Sequence, residues 1–292
     1  MSYIRPFDPW RGKSLCTCPF KYTVNPYTGC QHRCLYCYAS SYIKDFFNPR
    51  PKANFLEIAR KDISKIPRGA IINISSSSDP YQPLESKYQY TRRLLELVSD
   101  NYVIEIVTKS DLVTRDIDIL SKARSVVSIT ITTLDETLAR RLEPGAPSPS
   151  RRIDAIKKLT EAGVPVVLRY DPIIPGLNDS KESISAVLEA AVTAGARHVV
   201  SSTYKIKPDN LARMLSAFPD LEAKFEHIYR DKKNRIQGYI YADKEYRYRT
   251  LSTVRDIAHS LGVTFATCRE GLYQLNDKGV TCDGTSLATR NS

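Results

Sequence analysis

Gly29-Cys30-Gln31-His32-Arg33-Cys34-Leu35-Tyr36-Cys37 sets three thiols at C-x3-C-x2-C spacing. The stretch follows a short strand signal around Tyr22–Val24 and precedes a segment rich in Pro, Tyr and Phe, so it reads as a loop. Thiolates are the usual ligands of iron–sulfur clusters, and a tight loop lets three of them converge on one cube face. Three ligands for four irons leave one iron open, where a small molecule can chelate and receive an electron. The competing reading is structural zinc, which takes four ligands, typically from paired knuckles. No matching knuckle lies elsewhere in the chain, and His32 is squeezed between two of the cysteines. Inert buried thiols are the third reading.

Outward from this loop, helical and strand patterns alternate. Helices are expected at 53–65, 87–99, near 114–123, at 135–142, from about Ser150 to Ala162, at 182–194 and near 245–261. Strands are expected at Ala70–Ile74, Tyr102–Val107, Val126–Thr132, Val164–Arg169 and His198–Ser202, the β-branched content marking buried strands. With Tyr22–Val24 this makes about six βα units, hence parallel strands with right-handed crossovers. A doubly wound sheet and a barrel both satisfy that pattern. The expected organisation is an irregular segment over 1–20, an α/β unit over 21–220, and a basic, Tyr-rich C-terminal extension over 221–292.

C-x3-C-x-aromatic-C, with Tyr36 in the aromatic slot, resembles the signature of the radical S-adenosylmethionine (SAM) superfamily. Asn25-Pro26-Tyr27-Thr28-Gly29-Cys30, Cys37-Tyr38-Ala39 and Ser78-Asp79-Pro80-Tyr81-Gln82-Pro83-Leu84-Glu85 resemble its spore photoproduct lyase-like (DNA repair photolyase-like) subgroup, over about residues 15 to 285. The resemblance implies a partial (β/α)6 TIM-like barrel with a [4Fe–4S] cluster on Cys30, Cys34 and Cys37. The cluster would cleave SAM reductively to a 5′-deoxyadenosyl radical that abstracts a substrate hydrogen, fed by an electron donor such as ferredoxin or flavodoxin. The site would lie at the C-terminal mouth of the strands.

The same resemblance puts the methionine amino group near the loop after the second strand. Ser77, Ser78 and Asp79 there offer hydroxyl, carbonyl and carboxylate acceptors for an ammonium; the alternative is a turn with Asp79 as its cap. Pro172–Asp179 resembles the superfamily's adenine-side element, with Ile174 and Gly176 at its centre. Lys109, Thr130 and Thr132, at strand ends, are expected to contact the SAM carboxylate or ribose. Arg141 and Glu143, before the breaker run Glu143–Pro149, are expected to reach the mouth.

Seven cysteines less three leaves Cys16, Cys18, Cys268 and Cys282. Four thiols in two separated pairs suit a second metal site, an auxiliary cluster or zinc, that pins the N-terminal segment to the tail. A Cys268–Cys282 disulfide and simple buried thiols are the competing readings. The subgroup's repair enzyme carries a cysteine hydrogen donor where this chain has Ser76, and a serine O–H bond is too strong for that task. Cys268 or Cys282 would have to substitute.

With 43 Lys+Arg against 32 Asp+Glu the net charge is +11, which favours a polyanionic partner. Residues 229–250 interleave seven basic residues with Tyr229, Tyr239, Tyr241, Tyr246 and Tyr248, a pattern that suits phosphates and stacked bases. The same composition fits a hairpin whose tyrosines pack inward. The expected substrate is therefore nucleic acid undergoing repair or modification. A protein, peptide or metabolite substrate is the first alternative, and a non-enzymatic zinc-stabilised nucleic-acid-binding module the second. No run approaches eighteen apolar residues and the N-terminus lacks signal-peptide character, so a cytoplasmic protein is expected.

Overall fold

The computed structural model describes residues 2–7 and 15–288; part of the expected N-terminal segment, residues 8–14, lies outside them. One eight-stranded sheet runs in chain order: β1 (Arg5–Pro6), β2 (Tyr22–Val24), β3 (Ile71–Ile74), β4 (Val103–Thr108), β5 (Arg124–Thr130), β6 (Val166–Ile173), β7 (His198–Thr203) and β8 (Thr264–Thr267). β1 pairs antiparallel with β2. From β2 to β8 every pairing is parallel. β1 and β8 stand at opposite ends of that order, so the curved sheet stays open as a partial barrel. Six parallel strands match the sequence expectation. The seventh, β8, comes from within 221–292, so part of the expected extension is built into the sheet.

Helices follow the strands. Those of seven residues or more are α1 (Phe55–Ile63), α2 (Tyr90–Val98), α3 (Glu136–Leu142), α4 (Pro149–Glu161), α5 (Lys181–Thr193), α6 (Pro208–Ala217), α7 (Glu222–Ile228) and α8 (Lys244–Ser260). The helix expected near 114–123 is a 3-10 turn over Asp111–Asp116 followed by the short helix Ile117–Leu120. Most helices cover the outer face, while α6 and α7 pack with Cys34 and Tyr36 of the triplet loop. Asp135 caps α3 by accepting from Thr137 N at 2.8 Å, and Ser180 caps α5 by accepting from Ser183 N at 3.1 Å. The last proline of the breaker run, Pro149, is the first residue of α4, where a fixed φ and a missing N–H suit the helix start. α6 also begins on a proline, and it is not among the helices expected from the sequence.

Strand alternation sorts the residues between two faces. On β4, Ile104 and Ile106 join Ile72, Ile74, Leu94, Leu95, Val127 and Ile129 in the core beneath the helices. Glu105 and Val107 face the concave side and line its cavity. Near the strand starts the concave side is apolar: Val126, Val167 and Val200 pack against Cys268, Leu287 and Ala288 of the tail. The tail thus plugs the barrel floor. Gly284 makes the approach possible, since it has φ +72° and a Cβ there would lie 2.3 Å from Val167 Cγ2. Among the described residues no helix is long and apolar enough to cross a membrane.

Candidate active site

Above the plug, the concave side becomes polar and encloses a cavity of about 890 Å³, at the upper end of ligand pockets, which run to about 1,000 Å³. Cys30, Cys34 and Cys37 line it with Tyr36, His32, Ser77, Ser78, Asp79, Lys109 and Thr130.

The loop carrying the triplet is held from several sides. Cys30 N donates to Phe46 O at 2.9 Å and Gln31 N to Gln82 Oε1 at 3.0 Å. From α6, Arg213 Nε donates to Leu35 O at 3.1 Å and Arg213 Nη2 to Cys37 O at 3.1 Å, while Asn210 Nδ2 donates to Tyr36 O at 3.2 Å. The end of α3 and the breaker run pack directly on the loop: Leu35 N donates to Leu142 O at 2.9 Å and Gly145 N to His32 O at 3.0 Å. A Cβ at position 145 would meet Gln31 O at 2.0 Å, so only glycine allows this contact.

Tyr36 turns away from the solvent and donates its hydroxyl to buried Glu143. Glu143 also accepts from Thr132 Oγ1 at 3.0 Å and pairs with Arg152 Nη2 at 2.5 Å. Burial, then the Glu143 charge, push the Tyr36 phenol well above its usual range, so it stays a donor. Lys109 Nζ stands 5.5 Å from the Tyr36 ring centre.

The serine loop is clamped at both ends. Asn25 Oδ1 accepts from Ser76 N at 3.1 Å and Ser77 N at 3.0 Å. Asp79 accepts from Thr108 Oγ1 at 2.7 Å, Lys109 N at 2.8 Å and Tyr81 N at 2.9 Å, with His32 Nδ1 at 3.3 Å. Burial works to raise the Asp79 pKa, but His32 and these donors outweigh it and hold the carboxyl at about 2. Its oxygens are thus already engaged, and the turn-and-clamp alternative describes Asp79 better than a vacant ammonium acceptor does.

Several expected site residues lie elsewhere. Thr132 is buried against Glu143 and does not line the cavity. Arg141 donates to Ala217 O at 2.6 Å and covers the Phe218 ring at 4.1 Å, because α3 turns that face outward. Ile174 and Gly176 are folded into their own turn, Ile174 N donating to Asn178 Oδ1 at 2.6 Å and Gly176 N to Asp179 Oδ1 at 2.8 Å; Asp171 and Pro172 line the cavity instead. Of the tyrosines in 229–250, Tyr229, Tyr239, Tyr241 and Tyr246 are buried, so this segment matches the inward-packed alternative. Only Tyr239 of these lines the cavity.

The residues missed in the sequence form the polar concave layer: Lys21, Asn73, Glu105, Arg169, Asp171 and Asp283. Lys21 Nζ sits 2.5 Å from Glu105 and 2.7 Å from Asp283. Burial, against the Lys21 charge, pushes Glu105 up to about 7. A charge at alternate positions of an otherwise apolar strand, as in Val103-Ile104-Glu105-Ile106-Val107, was the signal.

The donor set fits a thiophilic cofactor. No thiol of the triplet is in a disulfide, and burial pushes Cys34 up to about 12, so a coordinated metal is what would draw its proton off at neutral pH. Beside it His32 Nε2 is buried without a hydrogen-bond partner on the cavity wall. Among the described residues no three ligating side chains are gathered as around a single ion, an arrangement that a cluster with separated corners does not need.

Buried loop thiols at the open end of a parallel partial barrel define a class of metalloenzyme. The model of the radical SAM superfamily matches residues 24–189, more than half of the chain. The chain belongs to that superfamily, and membership implies SAM and a [4Fe–4S] cluster as cofactors. A protein of Methanocaldococcus jannaschii is 37% identical over 163 residues, 54% of this chain and 62% of the relative. The radical SAM Nalpha-GlyT isomerase of Pseudomonas phage M6 is 27% identical over 258 residues, 85% of this chain and 53% of the relative. The chain thus spans under two thirds of the length of both. Spore photoproduct lyase complexed with a dinucleoside spore photoproduct shares the fold, with TM-score 0.66 at 18% identity over 89% of this chain and 78% of that one.

Proposed function

We propose that Cys30, Cys34 and Cys37 hold the cluster and that this enzyme modifies or repairs a nucleic acid. When bound, cluster and SAM supply a 5′-deoxyadenosyl radical for hydrogen abstraction. The chain's own residues orient and shield that chemistry. Tyr36, Glu143 and Arg152 fix the triplet loop from below, and Asn25 and Asp79 hold the serine loop so that Ser77 lines the cavity. Lys109 and Thr130 offer polar contacts on the neighbouring wall.

The observation that carries the substrate class is the cavity's lining. Arg5, Arg33, Lys207 and Arg269 share it with Tyr38, Tyr42 and Tyr239. Lys207 Nζ lies 4.2 Å from the Tyr239 ring centre, and the Arg269 guanidinium lies 5.6 Å from that of Tyr38 and 5.2 Å from that of Tyr239. Cations beside aromatic faces suit phosphates and unstacked bases together. The fold neighbour with a dinucleoside lesion supports the same class.

The reaction differs from one that uses a cysteine on the serine loop. Ser76 occupies that position and accepts from Asn25 Nδ2 at 3.0 Å.

The test is binding of single-stranded DNA and RNA oligonucleotides by anaerobically purified protein. Affinity is expected to fall about ten- to hundredfold between about 50 and 200 mM salt. Absent binding, or affinity indifferent to salt, overturns the nucleic-acid reading and favours a peptide or small-molecule substrate.

A further inference from the structure

Four cysteines outside the triplet reach the same cavity from three parts of the chain. Cys16 and Cys18 lie on the irregular segment before β2, Cys268 directly follows β8, and Cys282 belongs to the tail that plugs the floor. Cys18 Sγ is 3.2 Å from Cys282 Sγ, and Cys16 is hydrogen-bonded to Cys18. Cys268 Sγ accepts from Arg169 Nη2 at 3.1 Å and is an electrostatic neighbour of Cys16, Cys18 and Cys282. The competing reading, a Cys268–Cys282 disulfide, is not what the structure has: both thiols are free. Cys282 instead faces Cys18, because the tail loop and the N-terminal segment meet across the floor.

We propose that Cys16, Cys18, Cys268 and Cys282 hold a second thiolate-ligated metal centre in the cavity that the triplet lines. Four thiols are a complete ligand set for an iron–sulfur cluster or for tetrahedral zinc. All four line the cavity, Cys268 where it borders the apolar floor of Val126, Val167 and Val200, and two cations flank them: Arg169 on Cys268, and Lys21, buried between Glu105 and Asp283. These cations offset the negative charge that four thiolates bring. Neither this group nor the triplet is arranged as around a single ion. Binding would draw the four sulfurs together, which the irregular segment and the two loops after β8 allow, since ligand closure is coupled to metal binding. The centre would tie both ends of the chain to the barrel floor.

The test uses the full chain with Cys30, Cys34 and Cys37 all replaced by alanine, purified without oxygen, and reads iron, sulfide and zinc with Mössbauer spectra. About four irons and four sulfides support a cluster, and about one zinc without sulfide supports the single ion. A folded, metal-free variant whose four remaining thiols alkylate freely, or carry a Cys18–Cys282 disulfide, overturns the proposal. If that variant does not fold, the unaltered chain decides by comparison with Cys282→Ser. Metal beyond one [4Fe–4S] equivalent that is lost in Cys282→Ser supports the site, and one equivalent in both proteins overturns it. The proposal does not rest on the nucleic-acid reading: loss of oligonucleotide binding would leave these counts unchanged.

Discussion

Cys30, Cys34 and Cys37 reach the cavity from one short loop, whereas Cys16, Cys18, Cys268 and Cys282 reach it from the two ends of the chain. The first wall is local in its cysteines, but distant segments hold it in place. Its loop is bonded to α6, to the breaker run and to the Tyr36–Glu143–Arg152 group beneath it. The second wall exists only because the tail folds back under the strands, where Lys21 bridges Glu105 and Asp283 across the floor. A loop held from several sides can be rigid before substrate arrives. A site made of chain ends depends on the whole fold and reports on it.

The sharpest break of this comparison is at the triplet. Cys34→Ala is expected to abolish formation of 5′-deoxyadenosine and to remove the triplet's iron, with little change in melting temperature. Retained SAM cleavage would move the chemistry away from this loop. Next in size is the buried pair beneath it. Arg152→Met leaves Glu143 without its cation and is expected to cost about 3–5 kcal/mol by denaturant unfolding. A loss below about 1 kcal/mol would show that Thr132 and Tyr36 suffice to hold that carboxylate. On the floor, Lys21→Met is expected to destabilise to a similar degree and to expose the tail to proteolysis, because two carboxylates lose a shared partner. Unchanged tail protection would separate the plug from the ion triad.

Two carboxylates sharpen the contrast by pH. Asp79 titrates near 2 in the fold against an ordinary 3.8, so the stability it contributes is present above about pH 4 and is lost as pH falls toward 2. The loss is about 2 kcal/mol, and Asp79→Asn should flatten this part of the unfolding profile. Glu105 titrates near 7 against an ordinary 4.5, so its effect has the opposite sign. The folded state holds that proton more tightly, and stability declines as pH rises from about 4.5 to 7, a slope that Glu105→Gln should remove. Profiles that do not respond to these variants would place the titrating groups elsewhere. The smallest expected effect is at the cavity lining. Lys207→Ala should weaken oligonucleotide binding only a few-fold and lower the salt slope by about 1 for one lost phosphate contact.

The βα order, the strand positions and the triplet were legible in the sequence because each depends on residues near one another in the chain. Period-two strands such as 103–108, capped helices and a close-set run of cysteines are read in short windows. Glu105, Arg169 and Lys21 were not read as a set, since strand periodicity places each on a face but does not say which face is the cavity. Arg141 was misplaced for the same reason at the end of α3.

The sequence by itself determined the superfamily, the parallel order of the strands and the loop that carries the thiols, since all three are encoded over short spans. Only the tertiary structure decided which side of the sheet is concave, that Asp79 is consumed in clamping its loop, and that residues 16, 18, 268 and 282 line one cavity. Those outcomes depend on burying the apolar faces of distant segments together, and that condition is met only by the chain as a whole.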